Sequence, residues 1–245
     1  VYTVVSPHIG GVPDAVNSLY AIKKAVYDDK LVTFENFMKI LKNNWDSEET
    51  LRRRILNGYK YFGNDNDEAD EIAVRVLSEF SDSCMECDKR TPVRFVSGVS
   101  TFGRQLEWAG TRLAAPFGRK SGEVLSGNMS PTPGTDISGA TAIIKSYCKA
   151  DLKKQYTGAA LDISFVQSNM DGENAIAAIG GLIKAFVRLG GCFMQIDTVS
   201  ADILREAQKN PENFKSLTVR VSGWNARFVT MNKEWQDMII KRQSR

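Results

Sequence analysis

Few side chains in this sequence have the types and spacing that polar or metal catalysis requires. The only histidine is His8, and nothing around it indicates the base of a Ser-His-Asp or Cys-His arrangement. Cys84 and Cys87 form a single C-x-x-C, whereas Cys148 and Cys192 stand alone. Without a second C-x-x-C or an H-x-x-x-H, the tetrahedral ligand set of a zinc site is incomplete. We therefore predict reduced intracellular thiols and no metal-ligating or cofactor-binding residue.

A glycine near the C-terminus is the other residue whose context could carry chemistry. Gly223 follows a strand-like run in RVSGWNARF, residues 220–228. Taken alone it predicts a turn, because glycine has no Cβ and adopts positive φ freely. A second glycine-rich stretch, PFGRKSGEVLSGNMSPTPGTDISGATAIIKS (116–146), contains neither of the phosphate-binding glycine motifs. It predicts a shaped loop that packs against other backbone and enters a helix, with Asp136 as the candidate N-cap.

Composition and charge exclude several classes of protein. The 245 residues are 42% hydrophobic and 25% charged, which is typical of a globular protein with one large domain or two small ones. A net charge of +3, spread along the chain, does not indicate a nucleic-acid-binding arm. No apolar run approaches the ~20 residues of a membrane span, and the first residues do not resemble a signal peptide. Because the chain begins without Met inside a strand-like run, we expect a fragment of a longer, cytoplasmic protein.

The elements that must position these residues follow from hydrophobic periodicity. Helices are predicted at 13–30, 33–45, 46–59, 67–80, 138–150, 174–190, 201–210 and 233–243, and strands at 93–99, 161–168, 192–200 and 217–222. Thr33 is a candidate N-cap, and Asp46 with Glu49 three residues later resembles a capping box. The alternation of strands and helices in the second part predicts one α/β unit around a parallel, buried sheet.

Five segments, taken in order along the chain, resemble the glycyl radical enzymes, the group of pyruvate formate-lyase. RVSGWNARF is similar to their radical-bearing signature. PFGRKSGE (116–123) and SPTPGTDISGATA (130–142) resemble two further motifs, and DAVNSLYAIKKAVYDDK (14–30) and YFGNDNDEADEIA (61–73) resemble segments farther upstream. The resemblance implies the C-terminal part of a ten-stranded α/β barrel. Residues 1–115 would belong to the barrel domain and residues 116–245 to the glycine radical domain, in one structural unit.

The resemblance makes Gly223 the radical-bearing residue. A radical on a backbone α-carbon is stabilised when that carbon is planar and conjugated with both amides, and a side chain would crowd this geometry. The family implies that an S-adenosylmethionine-dependent activating enzyme with a 4Fe-4S cluster installs the radical after translation, so that no cofactor stays bound. The radical then passes to a cysteine upstream of this chain, and no cysteine here lies in a similar segment. We therefore expect the chain alone to be inactive.

Details of the C-terminal segment favour one branch of the family. Trp224 and ARFVTMNKEWQDMII (226–240) resemble the catalytic subunits of benzylsuccinate and alkylsuccinate synthases, carbon–carbon lyases of anaerobic hydrocarbon degradation. This branch implies that a toluene or alkane radical adds to fumarate, and that the protein is an oligomer with small accessory subunits. Two alternatives remain open: a lyase or dehydratase for a polar substrate such as a diol or choline, and a non-enzymatic spare-part radical module.

Two further sequence features bear on the site. Pocket residues are expected within SGVSTFGRQLEW (97–108), where Phe102, Leu106 and Trp108 are interpreted as core residues. Phe117 stands where the family's second motif carries Asp, which leaves the hydrogen bonding of that segment open.

Overall fold

Helices dominate the first third of the chain, and strands alternate with helices in the rest. The computed structural model describes residues 3–101, 103–165, 172–221 and 224–243. The helices are α1 (Val12–Ile22, extended by a π-helical segment at Lys23–Asp28), α2 (Phe34–Lys42), α3 (Glu49–Gly58), α4 (Asp67–Asp88), α5 (Gln105–Ala109), α6 (Gly139–Lys149), α7 (Gly172–Arg188), α8 (Ala201–Lys209) and α9 (Lys233–Gln243). The strands are β1 (Val4–Val5), β2 (His8–Ile9), β3 (Arg94–Phe95), β4 (Gly98–Val99), β5 (Ala160–Ser164), β6 (Phe193–Asp197), β7 (Thr218–Arg220) and β8 (Asn225–Arg227).

A side-chain cap explains where α2 begins but not where α3 begins. Thr33 accepts a hydrogen bond from the amide of Asn36 at 3.3 Å, so the predicted N-cap of α2 is confirmed. The predicted capping box of α3 is wrong, because α3 begins at Glu49 and Asp46 lies in the preceding turn. The carboxylate of Glu49 instead binds the guanidinium of Arg52 at 2.7 Å, which leaves it no role in capping.

Most strand pairs are parallel, as the alternation predicts. β1 pairs with β3, β2 with β4, and β5 with β6, all in parallel register. β5, α7 and β6 form a βαβ unit in which five residues of each strand are paired. The last strand departs from the prediction, because β7 pairs antiparallel with β8, a strand that the sequence did not predict.

Three apolar clusters hold these elements together. The first joins α1, α4, α6 and β5 around buried residues such as Val16, Leu77, Tyr147 and Leu161. The second lies among the early helices and contains Phe37, Trp45, Ile55, Tyr61 and Phe117. The third is formed by α8, α9 and the β7–β8 hairpin, and contains Leu204, Val219, Phe228 and Ile239. Within the described ranges, no helix is long and apolar enough to cross a bilayer.

Candidate active site beside the C-terminal hairpin

The residues on either side of Gly223 form an antiparallel hairpin. Gly223 and Ser222 lie outside the described residues. On either side of them, Arg220 pairs with Asn225, and the amide of Val221 donates to the carbonyl of Trp224 at 2.9 Å. The hairpin is anchored through Val219 and Phe228, which are buried against α8 and α9 in the third cluster. The packing therefore fixes both ends of the short connection that carries Gly223.

A cavity of about 260 Å³ lies directly beside this hairpin. Its wall includes Val221 of the hairpin, the end of β5, the loop before α6, and residues of α5 and α9. The polar members of the wall are Gln105, Asn128, Ser130, Asp136, Asp162, Ser164 and Lys241. Gln105 comes from the segment in which the sequence predicts pocket residues. The cavity thus brings the hairpin together with the glycine-rich loop and the βαβ unit.

Asp162 is the centre of a polar wall in this cavity. Its carboxylate accepts a hydrogen bond from the side-chain amide of Asn128 at 3.0 Å and one from the hydroxyl of Ser130 at 3.5 Å. The hydroxyl of Ser130 also accepts the backbone amide of Asp162 at 2.9 Å. The oxygen of Asn128 in turn accepts the amide of Thr101 at 3.1 Å, which fixes its orientation. A carboxylate and a hydroxyl in fixed positions can bind the hydroxyl or ammonium group of a ligand.

Buried side chains from the first third of the chain hold the loop between α5 and α6, residues 110–138, which we call the cavity loop. Asp14 of α1 is 6% exposed and accepts the backbone amide of Ser126 at 2.7 Å and its hydroxyl. Burial raises the pKa of Asp14, although the hydrogen bonds from Ser126 and the charge of Arg119 oppose that shift. Arg119 donates to the carbonyls of Leu113 and Glu123 at 2.7 and 2.8 Å. Arg119 therefore fixes its own loop through backbone carbonyls.

The side chain of Asn64 holds the end of the same loop. The sequence had instead predicted Asp136 as the N-cap of the helix that follows. The N-cap position of α6 is Ser138, so the prediction of Asp136 as N-cap is wrong. The side-chain oxygen of Asn64 accepts the amides of Ile137 and Ser138 at 2.8 and 3.0 Å. This partner lies more than seventy residues upstream, at separations of 73 and 74 residues, where a local capping pattern cannot identify it.

Among the described residues of the segment 97–108, in which pocket residues were predicted, Gln105 is the one that lines the cavity. Phe102 lies outside the described residues. Leu106 is half-buried against the third cluster, and the half-buried ring of Trp108 lies close to Gly10, so neither belongs to the fully buried core. Phe117 is 1% exposed and meets the ring of Tyr61 edge-to-face at 6.0 Å. Phe117, which stands where the family motif carries Asp, therefore contributes aromatic packing at this position.

The histidine and the cysteines lie away from this cavity. The Nε2 atom of His8 is 3.2 Å from the hydroxyl of Thr157, and partial burial lowers the pKa of the imidazole. Burial raises the thiol pKa of both Cys84 and Cys148, whereas Cys87 and Cys192 are exposed. None of the four thiols belongs to the cavity wall that the described residues form.

Three carboxylates near the start of α4 surround the ammonium group of a lysine. Asp65, Asp67 and Asp70 bring carboxylate oxygens within 4.8 Å of one another. The ammonium group of Lys149 contacts all three, at 2.5, 2.6 and 3.2 Å. Burial alone would lower the pKa of Lys149, but its hydrogen bonds to the carboxylates raise it. The cluster is therefore a structural ion-pair network that ties α6 to α4.

Comparisons with known proteins cover almost the whole chain. Residues 1–107 match the model of the family described as pyruvate formate lyase-like, and residues 125–229 match the model described as glycine radical. A trans-4-hydroxy-L-proline dehydratase of Clostridioides difficile is 30% identical over 95% of this chain and 29% of its own length.

Solved structures with the same fold are equally similar. The B12-independent glycerol dehydratase of Clostridium butyricum superposes with a TM-score of 0.91 at 32% identity, over 98% of this chain and 30% of that chain. A glycyl radical enzyme of Archaeoglobus fulgidus superposes with a TM-score of 0.90 at 31% identity, over 99% and 31% of the two chains. The predicted fold class is thus confirmed as that of the glycyl radical α/β barrel enzymes. The chain spans about 30% of the length of these relatives, and it belongs to the glycyl radical enzyme family.

Proposed function

We propose that this chain is the C-terminal part of a glycyl radical lyase that acts on a small, hydroxyl-bearing substrate. The radical would reside on Gly223 and would be installed after translation by a radical S-adenosylmethionine activating enzyme. The observation that carries the proposal is the position of the cavity, whose wall joins the hairpin of Gly223 to the polar groups around Asp162. The similarity to two dehydratases, which act on hydroxyproline and glycerol, supports the same class.

The polar wall favours a hydroxyl-bearing substrate over a hydrocarbon. The carboxylate of Asp162 lines the cavity, and an apolar ligand that displaced water there would give it no hydrogen bond in return. An alcohol can donate to Asp162 while Asn128 and Ser130 keep the carboxylate in place. A dehydratase or a related lyase is therefore the preferred activity. Addition of a hydrocarbon to fumarate remains the second hypothesis, supported by the resemblance of Trp224 and residues 226–240.

The described residues would contribute position and shielding to this chemistry. The paired strands on both sides of Gly223 would hold its backbone, and the buried third cluster would keep water from one side of the hairpin. The cavity next to Val221 would bind the substrate close to the hairpin. A cysteine in a part of the protein outside this chain would transfer the radical to the substrate.

The test of the radical site uses the full-length protein, activated without oxygen. The wild type should show a glycyl radical by electron paramagnetic resonance, and Gly223→Ala should show none. Gly180→Ala is a suitable control, because a Cβ at that position would meet nothing within 4 Å. After exposure to air, peptide mapping of the wild type should find backbone cleavage at Ser222–Gly223. A full radical signal in Gly223→Ala would refute the assignment.

The test of the substrate class compares alcohols with a hydrocarbon. The activated protein is incubated with glycerol, trans-4-hydroxy-L-proline or choline, and separately with fumarate and toluene. Mass spectrometry should detect a dehydrated or cleaved alcohol and no substituted succinate. Formation of benzylsuccinate instead would establish the second hypothesis.

A further inference from the structure

The side-chain amide of Gln105 lies in the wall of the cavity with poor hydrogen-bond partners. Gln105 is the first residue of α5 and is 5% exposed. Among the described residues, its Nε2 atom donates only to the sulfur of Met238, at 3.5 Å. Its Oε1 atom has no hydrogen-bond donor within the described part of the chain. Both ends of a buried amide are therefore left weakly satisfied or unsatisfied.

Such an arrangement costs folding free energy unless a ligand completes it. Buried amide groups nearly always have partners, and an unpaired one bears the cost of its lost hydration. A thioether sulfur is only a weak acceptor, so Met238 compensates little for the amide hydrogens. The terminal torsion of a glutamine side chain is broad, so the amide of Gln105 can present either its oxygen or its nitrogen to the cavity.

We propose that Gln105 is a specificity-determining residue that binds a hydroxyl group of the substrate. A hydroxyl group donates one hydrogen bond and accepts others, so it can complete either end of the amide. A hydrocarbon can complete neither end. The inference rests on the proposed function, because it takes the cavity beside Val221 as part of the substrate site. Gln105 is then the residue that distinguishes a hydroxyl-bearing ligand from its deoxy analogue.

A second buried glutamine provides a matched control. Gln155 is 3% exposed, and its Oε1 atom also has no donor among the described residues. Its Nε2 atom donates to the carbonyl of Leu77 at 3.2 Å and to the hydroxyl of Ser81 at 2.7 Å. Gln155 does not belong to the cavity wall. The same substitution at the two positions therefore separates a role in ligand binding from the general effect of removing a buried amide.

The experiment measures ligand binding to the full-length protein without activation. Isothermal titration calorimetry compares trans-4-hydroxy-L-proline with L-proline, and glycerol serves as a second probe. We expect the wild type to bind the hydroxylated compound more tightly. Gln105→Leu should weaken its binding about tenfold, which corresponds to about 1.4 kcal/mol. The same variant should leave the binding of L-proline unchanged, and Gln155→Leu should preserve the preference for the hydroxyl group.

Each outcome of this experiment decides the inference. If the wild type binds neither hydroxylated probe, or if Gln105→Leu keeps the wild-type preference, the inference is wrong and the amide binds only water. If Gln105→Leu does not fold, Gln105→Met, which keeps an unbranched side chain, takes its place. The proposed function is judged separately, by product formation with the activated wild type. It can therefore fail while the binding result stands, or the reverse.

Discussion

Replacement of Asn64 by alanine is the sharpest test of how the cavity loop is held. Asn64 is 4% exposed, and its amide makes four hydrogen bonds. The nitrogen donates to the carbonyls of Tyr61 at 2.9 Å and Thr135 at 2.7 Å. The oxygen accepts the amides of Ile137 and Ser138 at the entrance of α6. One side chain therefore satisfies backbone groups on two separate segments.

The expected loss of stability follows from these four contacts. Each hydrogen bond contributes about 1 kcal/mol net, and a buried backbone group left without a partner costs about 1–3 kcal/mol. Asn64→Ala should therefore lower the free energy of unfolding by about 4 kcal/mol. Asn64→Asp keeps the acceptor for Ile137 and Ser138 but places a second oxygen against two carbonyls. We expect a comparable loss of stability in Asn64→Asp, because the new oxygen repels the carbonyl oxygens of Tyr61 and Thr135.

The assay is urea unfolding of the full-length protein, with Asn36→Ala as the control. Asn36 is exposed on α2, so its replacement should change stability by less than about 0.5 kcal/mol. The cavity residues near Asp136 should also shift in Asn64→Ala, and turnover should fall. A loss below about 1 kcal/mol in Asn64→Ala would show that water replaces the amide, and would refute the reasoning.

Two further predictions concern positions close to this loop. Gly63 has φ +96°, and a Cβ there would overlap the ring of Pro131. Backbone strain alone costs about 1–3 kcal/mol, so Gly63→Ala should lower the free energy of unfolding by more than this. Gly122→Ala, at φ +81 and in open space, measures that strain alone, and equal losses in the two variants would disprove the contact with Pro131. Lys149→Met should leave the carboxylate of Asp70, whose pKa burial already raises, without its cation. A carboxyl whose pKa is raised by folding stabilises the protein while it is protonated, and this stability is lost as the pH rises through the folded-state pKa. The melting temperature of Lys149→Met should therefore fall further below that of the wild type near pH 7 than near pH 4.

Local patterns in the sequence predicted the elements but not all of their partners. The Thr33 cap of α2 depends on residues within one helical turn, and this prediction is confirmed. The capping box at Asp46 matched the pattern equally well and was wrong: the N-cap position is Glu48, and the carboxylate of Glu49 binds Arg52 and Arg53. A pattern of residue types cannot tell which of two partners a carboxylate takes.

The site was predictable only where a motif marks it. Similarity of RVSGWNARF to a known signature drew attention to Gly223, although that residue itself lies outside the described part of the structure. Ser130 begins the motif at 130–142, but no local pattern linked Ser130 or Asn128 to Asp162, because these contacts join a strand to a loop at separations of 32 and 34 residues. The pairing of β7 with β8 was also missed, because the second strand is three residues long.

Two different sets of interactions meet at the cavity, and they can be perturbed separately. The hairpin of Gly223 depends on the third cluster, through buried residues such as Val219 and Phe228. The loop on the other part of the wall depends on buried polar contacts of Asp14 and Asn64 from the first third of the chain. Since the hydrogen bonds of Asn64 involve no residue of the third cluster, a variant of Asn64 should keep the radical signal while it loses turnover. Loss of both together would mean that the loop and the hairpin act as one unit.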